Sequence, residues 1–195
     1  MRLTDSLLPT CESATICTVT DDLHQAAREL LAARTEQTVR HTAVRQLATL
    51  SGADRCEVLQ PGENGLESRA SVAYGPDAAD VPGPLETHRS ILEHSFEHGT
   101  AGLIDDLTDV RSASGPAPAA AVLDRPGYRS LLCVPIESHG LLAAADREPS
   151  YFSGHERESM RQLAALVAAA FDRFAWGTAD EGSRLESVAR VISHD

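Results

Sequence analysis

The stretch GYRSLLCVPIESHGLLAAAD, residues 127 to 146, decides how the rest of the chain is read. Leu131, Leu132, Cys133, Val134 and Ile136 form an almost unbroken apolar run, as a strand covered on both faces requires. Pro135 has no backbone N–H and disfavours helical geometry at Val134, so the run is read as a strand. Ser138-His139-Gly140 supplies a turn, and Leu141 to Asp146 resumes as a second strand. Its small residues Ala143 to Ala145 let another element pack closely over the sheet. The expectation is a buried hairpin at the centre of a sheet.

Upstream, Met1 to Thr20 lacks a sustained period and is expected to be a lead-in. Thr20-Asp21-Asp22 can cap a helix whose apolar face is Leu23, Ala26, Ala27, Leu30 and Leu31, ending near Arg34. Thr35 caps a second helix, with Val39, Ala43, Val44, Leu47 and Leu50 as its stripe and Gly52 as its C-cap. Ala53 to Gln60 and Leu66 to Tyr74 read as strands around the turn residues Pro61 to Gly65. After a loop over Gly75 to Pro84, a third helix is expected from Leu85 to His98, stopped by Gly99, and then a short strand from Thr100 to Asp105. Arg111 to Pro126 has the composition of a mobile loop, suited to be a lid or merely a connection.

Downstream, Ser153 and Glu156 make a capping box for a helix with the stripe Met160, Leu163, Ala164, Val167, Ala170, Phe171 and Phe174. Trp176-Gly177-Thr178 is expected to interrupt it. Leu185, Val188 and Ile192 then follow at steps of three and four, as in a coiled-coil seam that needs continuation or a dimer partner.

The composition narrows the function classes. A chain of 195 residues suffices for one domain with tails. Its net charge of −12 opposes binding to nucleic acid or an anionic membrane surface. All 17 basic residues are Arg, which with the acidic surplus suggests a salt-adapted source. Cys11, Cys17, Cys56 and Cys133 show no CxxC or zinc spacing, which fits a reduced cytoplasmic interior. No window is long and apolar enough to cross a bilayer, and the first twenty residues lack a secretion signal's order.

The run G-Y-R-S-L-L-C-V-P-I, the short turn, G-L-L-x-x-A and the long closing helix resemble the core of a GAF domain. The resemblance implies an α+β fold with a central antiparallel sheet of five to six strands and helices packed on it. It covers residues 21–175, between a lead-in of 1–20 and a linker helix of 176–195. R-V-I-S-H-D at Arg190 to Asp195 resembles the opening of the H-box of sensor histidine kinases, archaeal and possibly halophilic in type, with His194 in the place of the phosphoacceptor. The chain stops before the rest of that motif and has no Gly-rich nucleotide-binding region. The expectation is a non-catalytic sensory and dimerisation piece of a kinase, truncated at the H-box. The implied partners are a second copy of the chain, a small-molecule ligand and, through the parent protein, a response regulator.

In such an architecture a ligand sits between the sheet and the segment Leu85 to Tyr128, with His88, Asp105, Asp106, Tyr128, Arg129 and Ser130 as candidate polar lining. Arg129 can equally pair with Asp105 or Asp106, and His88 can face solvent. A cyclic nucleotide is disfavoured by the absence of Lys, and a covalent bilin by the absence of a Cys followed by His. His94 and His98 share a helical face that His88 does not, so no metal and no cofactor are expected. Two alternatives stay open. One is a GAF domain preceding a helix-turn-helix in a transcriptional regulator; the other is a free methionine sulfoxide reductase, whose thiol arrangement the Cys spacing does not match.

Overall fold

The computed structural model describes the backbone of residues 11–75, 82–108 and 127–192, and the side chains of 21–75, 82–84, 88–108 and 127–174. The hairpin is present: β4 (Ser130–Pro135) pairs antiparallel with β5 (Leu141–Asp146), from Ser130 opposite Asp146 to Pro135 opposite Leu141. Around it lie β1 (Arg55–Gly62), β2 (Gly65–Ala73) and β3 (Gly102–Ile104), in the order β2-β1-β5-β4-β3. Every pairing is antiparallel. The two strands with continuous apolar runs are interior, and all six residues of β5 are buried. The sheet has five strands, within the expected range.

The turn between β4 and β5 is closed by Ile136 N–H donating to Gly140 O at 2.8 Å and His139 N–H donating to Ile136 O at 2.9 Å. Gly140 has φ of 145°, and a Cβ there would lie 1.9 Å from the carbonyl oxygen of Leu59. Only glycine permits that approach of the turn to β1. Pro61 sits inside β1 opposite Leu66, so the expected loop of Pro61 to Gly65 shrinks to Glu63-Asn64.

The described residues include four long helices, α1 (Cys11–Ala32), α2 (Glu36–Ser51), α3 (Pro84–His98) and α4 (Gly154–Ile192); α2, α3 and α4 pack on the sheet, and α1 packs on α2 and α4. The cap residues act as the sequence suggests. Thr38 N–H donates to Thr35 Oγ1 at 3.1 Å, and Gly52, left-handed at φ 63°, donates to Ala48 O. Ser153 N–H donates to a Glu156 carboxylate oxygen at 2.8 Å, while Ser153 Oγ accepts from His155 N–H.

Two expectations change. Helix α1 begins at Cys11, inside the segment expected to be a lead-in. Ile16 and Val19 extend the three-and-four spacing of Leu23, Ala26 and Leu30, a continuation hidden by the intervening Ser and Thr. Helix α4 runs unbroken through Trp176-Gly177-Thr178. A single Gly costs a helix only about 1 kcal/mol relative to Ala, too little to end one with good formers on both sides.

Side-chain alternation divides the core in two. Cys56, Val58, Leu132, Val134, Leu142 and Ala144 point to α2 and α4, where they meet Val44, Leu47, Leu163, Val167 and Phe171; α1 adds Ala26 and Leu30. Leu59, Leu131, Cys133, Leu141, Ala143 and Ala145 point the other way, to a smaller cluster with Leu66, Leu92, Leu107 and Tyr128 under α3. Each buried Leu contributes about 1.5–3 kcal/mol to keeping these layers together.

Candidate functional site

The α3 face of the sheet carries a buried ion pair. On β1, Arg55, Glu57 and Leu59 share that face by the two-residue period. Glu57 is 1 % exposed, and its Oε1 accepts from Arg55 at 3.1 Å (Nε) and pairs with Nη2 at 3.0 Å. A buried carboxylate needs such a partner, since an uncompensated charge there costs several kcal/mol. A Cβ on Gly83, the N-cap of α3, would fall 2.1 Å from the same oxygen, so the start of α3 sits directly on Glu57. The positive end of the helix dipole favours an acid at that place. Helix α3 then kinks at His88, whose φ of −132° and ψ of 29° are not helical. Its first turn is thereby set off from the rest.

Tyr128 lies in the same layer, 6 % exposed, and burial pushes its hydroxyl up from the usual value against the opposing pull of Arg55 and Arg147. The adjoining strand ends are locked by carboxylates: Asp54 N–H donates to Asp146 Oδ2 at 3.2 Å, Arg147 N–H to Asp54 Oδ2 at 3.3 Å, and Glu148 N–H to Asp146 Oδ1 at 2.8 Å. Chemically, this corner offers one anchored acid, two guanidinium groups and a phenol beside an apolar floor. Sequence reading passed over Glu57 and Arg55. Nothing local to R-C-E-V-L tells that its strand is interior and that α3 covers the acid.

The residues singled out from the sequence are placed as follows. Asp106 and Arg129 form an ion pair, and Asp106 Oδ1 also accepts from Thr108 N–H at 3.0 Å and Oγ1 at 2.7 Å. The Arg129 and Thr108 contacts hold the Asp106 carboxyl down to about 2. Asp105 has an exposed side chain, and its carbonyl accepts from Ser150 N–H at 2.6 Å. Ser130 is fully buried and donates to Glu148 O at 2.8 Å. Alternation along β4 sends it to the α2 and α4 side, away from Leu131 and Cys133. His88 is half-buried at the kink of α3. His194 and the whole of the candidate lid, Arg111 to Pro126, lie outside the described residues.

Cys56 and Cys133 occupy opposite sides of the sheet, and burial pushes the Cys56 thiol up to about 12 and that of Cys133 upward as well. His94 and His98 stack at 4.1 Å between ring centroids, and among the described residues no three potential ligands gather around a metal position. No described helix is long and apolar enough to cross a membrane. Beyond the sheet, α1 and α4 form an apolar groove of about 440 Å³ lined by Leu23, Ala27, Ala165 and Leu166, with His24 and Gln162 at its rim. Leu31, 67 % exposed, lies farther along α1.

Among the described residues, a five-stranded antiparallel sheet with a helix bundle on one face and a kinked helix over a polar corner on the other defines a small α+β domain. The chain belongs to the GAF family: the sequence model of the GAF domain matches residues 35–171. Among solved structures it is similar to the GAF domain of a phosphoenolpyruvate-protein phosphotransferase from Coxiella burnetii, at 18 % identity and a TM-score of 0.60 over 83 % of this chain and 96 % of that one. A GAF domain from Pseudomonas syringae pv. tomato, described as part of a sensor histidine kinase, aligns over 88 % of this chain and 97 % of its own at 18 % identity and a TM-score of 0.58. The blue-light absorbing form of the Thermosynechococcus elongatus PixJ GAF domain gives 18 % identity and 0.55 over 82 % and 94 %. At such identities the likeness is one of fold. No curated protein matches the chain in sequence.

Proposed function

We propose that the chain is the sensory and dimerisation module of a cytoplasmic two-component histidine kinase. In this reading a cytosolic small molecule or other signal acts on the α3 face, and α4 relays it to a phosphoacceptor helix opening with Ser193-His194-Asp195. The observation that carries it is helix α4. Its 39 residues span about 58 Å, and they lead without a break from the sheet-packed stripe Met160 to Phe174 to the sequence R-V-I-S-H-D. In this reading the sensor domain of 21–175 is joined through α4 to the linker of 176–195, α1 reaches back into the lead-in of 1–20, and the response regulator meets the parent protein. Two copies join along α1 and α4, where the Leu23, Ala27 and Leu166 groove and exposed Leu31 offer apolar surface. Sedimentation at high protein concentration should give a dimer, and Leu166→Glu a monomer; a wild-type monomer removes the relay.

The residues that follow Asp195 in the parent polypeptide discriminate the alternatives: Leu-Arg-x-Pro supports the kinase, a basic helix-turn-helix the regulator. A methionine sulfoxide reductase is not favoured, because the two described thiols are buried, raised and on opposite faces. The Arg-only basic set and net charge of −12 support a salt-adapted source. Loss of circular dichroism signal as salt is lowered would bear this out, and indifference to salt would sink it.

A further inference from the structure

We propose that His139, Asp172 and Arg173 form a clasp that sets where α4 leaves the sheet and binds α1 to the same point. Asp172 and Arg173 are neighbours on α4, yet they reach different elements. Asp172 Oδ1 meets His139 Nε2 at 2.8 Å, and the His139 ring lies against Phe171 at 5.4 Å between centroids. Arg173 forks in the opposite sense, donating from Nη1 to Leu31 O and from Nη2 to Leu30 O, each at 2.8 Å. Those carbonyls belong to the last turn of α1, which has no basic residue of its own; Leu30 O also accepts from Ala33 N–H at 3.3 Å. A side chain of α4 therefore completes the end of α1.

His139 has little room to move. It sits in the tight β4–β5 turn, closed by the Ile136 to Gly140 bond and pressed on Leu59 through Gly140. A displacement of the hairpin relative to α4 must stretch the His139–Asp172 contact, because polar contacts have a narrow range of geometry whereas the apolar stripe below tolerates sliding. The same helical turn carries Arg173, so α1 follows. The clasp is thus a transmission point between the sheet and the pair of helices on which the proposed relay depends, and it rests on that reading only for what lies beyond Ile192.

Hydrogen exchange on the full chain, read by mass spectrometry, tests it. His139→Ala and Asp172→Ala should each speed exchange about three- to tenfold in the α4 turn around residue 172 and the turns after it, the loss of about one net hydrogen bond. The double variant should add nothing to either single one. Arg173→Gln should loosen residues 30–34, with Arg173→Lys intermediate because it keeps one donor. Strands β1 and β5 should stay protected throughout. Unchanged α4 exchange, an additive double variant, or a uniform rise that includes β1 and β5 would each overturn the clasp. Sedimentation of the same variants keeps the two ideas apart: a monomeric wild type removes the relay and leaves the exchange result standing.

Discussion

The two faces of the sheet are built by different rules. Toward α2 and α4 the strands present Cys56, Val58, Leu132, Val134, Leu142 and Ala144, a broad apolar layer into which Ser51 and Ser130 are also buried as hydrogen-bonded hydroxyls. Toward α3 the apolar cluster is smaller, its floor includes Ala143 and Ala145, and Glu57 with Arg55 stands at its edge under the end of a kinked helix. The first face gains from area and shape and has little to respond with. The second holds a buried ion pair, which adds less net stability than apolar packing of the same volume. One sheet can therefore be rigid on the side that faces the output helix and adjustable on the side away from it.

The sharpest way to break that contrast is to damage each face in turn. Leu163→Ala, at a fully buried site on α4, should remove about 3–5 kcal/mol and lower the urea midpoint of the whole chain in a single transition. Glu57→Leu removes the carboxylate but leaves Arg55 able to reach solvent, its side chain being 18 % exposed. The expected cost is about 1–3 kcal/mol, with exchange rising in α3 more than in α2. If the Glu57 variant unfolds the chain as completely as the Leu163 variant does, the division of labour between the faces is wrong.

Sequence reading caught what is decided locally. Pro135 and Gly140 marked the hairpin, Thr35 and Gly52 bounded α2, and Ser153 with Glu156 opened α4, because each acts within a few residues of itself. The start of α1 and the continuity of α4 were missed for the opposite reason. Ser, Thr and Gly lower helix propensity only slightly, and packing or length outweighs them. The candidate site was legible in part. Pairing of Arg129 with Asp105 or Asp106 was the alternative to a ligand role, and the pair is with Asp106; Ser130 is carried by the two-residue period to the face opposite Leu131. Glu57 escaped notice because its importance comes from the order of the strands, which places β1 next to the hairpin and beneath α3.

Gly83→Ala sharpens the comparison on the α3 side alone. The added methyl meets Glu57 Oε1 at 2.1 Å unless the first turn of α3 shifts, at a cost of about 1–3 kcal/mol. The shift should be absorbed at the His88 kink, so exchange should rise before that residue and stay low at Leu92. A rise that spreads through Leu92 to β4 would mean that the kink is not a joint.

The smallest effect concerns the rim of that face. Arg129 and the Thr108 donors hold Asp106 at about 2, against an ordinary 3.8. A folded-state value below the unfolded one means that the contribution is fully present above about 4 and is lost as pH falls toward 2. Both partners are solvent-accessible, so screening by salt weakens it further. The carboxyl carbon of Asp106, followed by NMR, should titrate near 2, and Arg129→Gln should move the midpoint upward without changing the shifts of Leu92 or Tyr128. Should Arg129→Gln leave the midpoint where it was, the Thr108 donors alone hold the carboxylate. Arg129 would then be free to face a ligand, which would extend the polar corner from Glu57 across the whole α3 face.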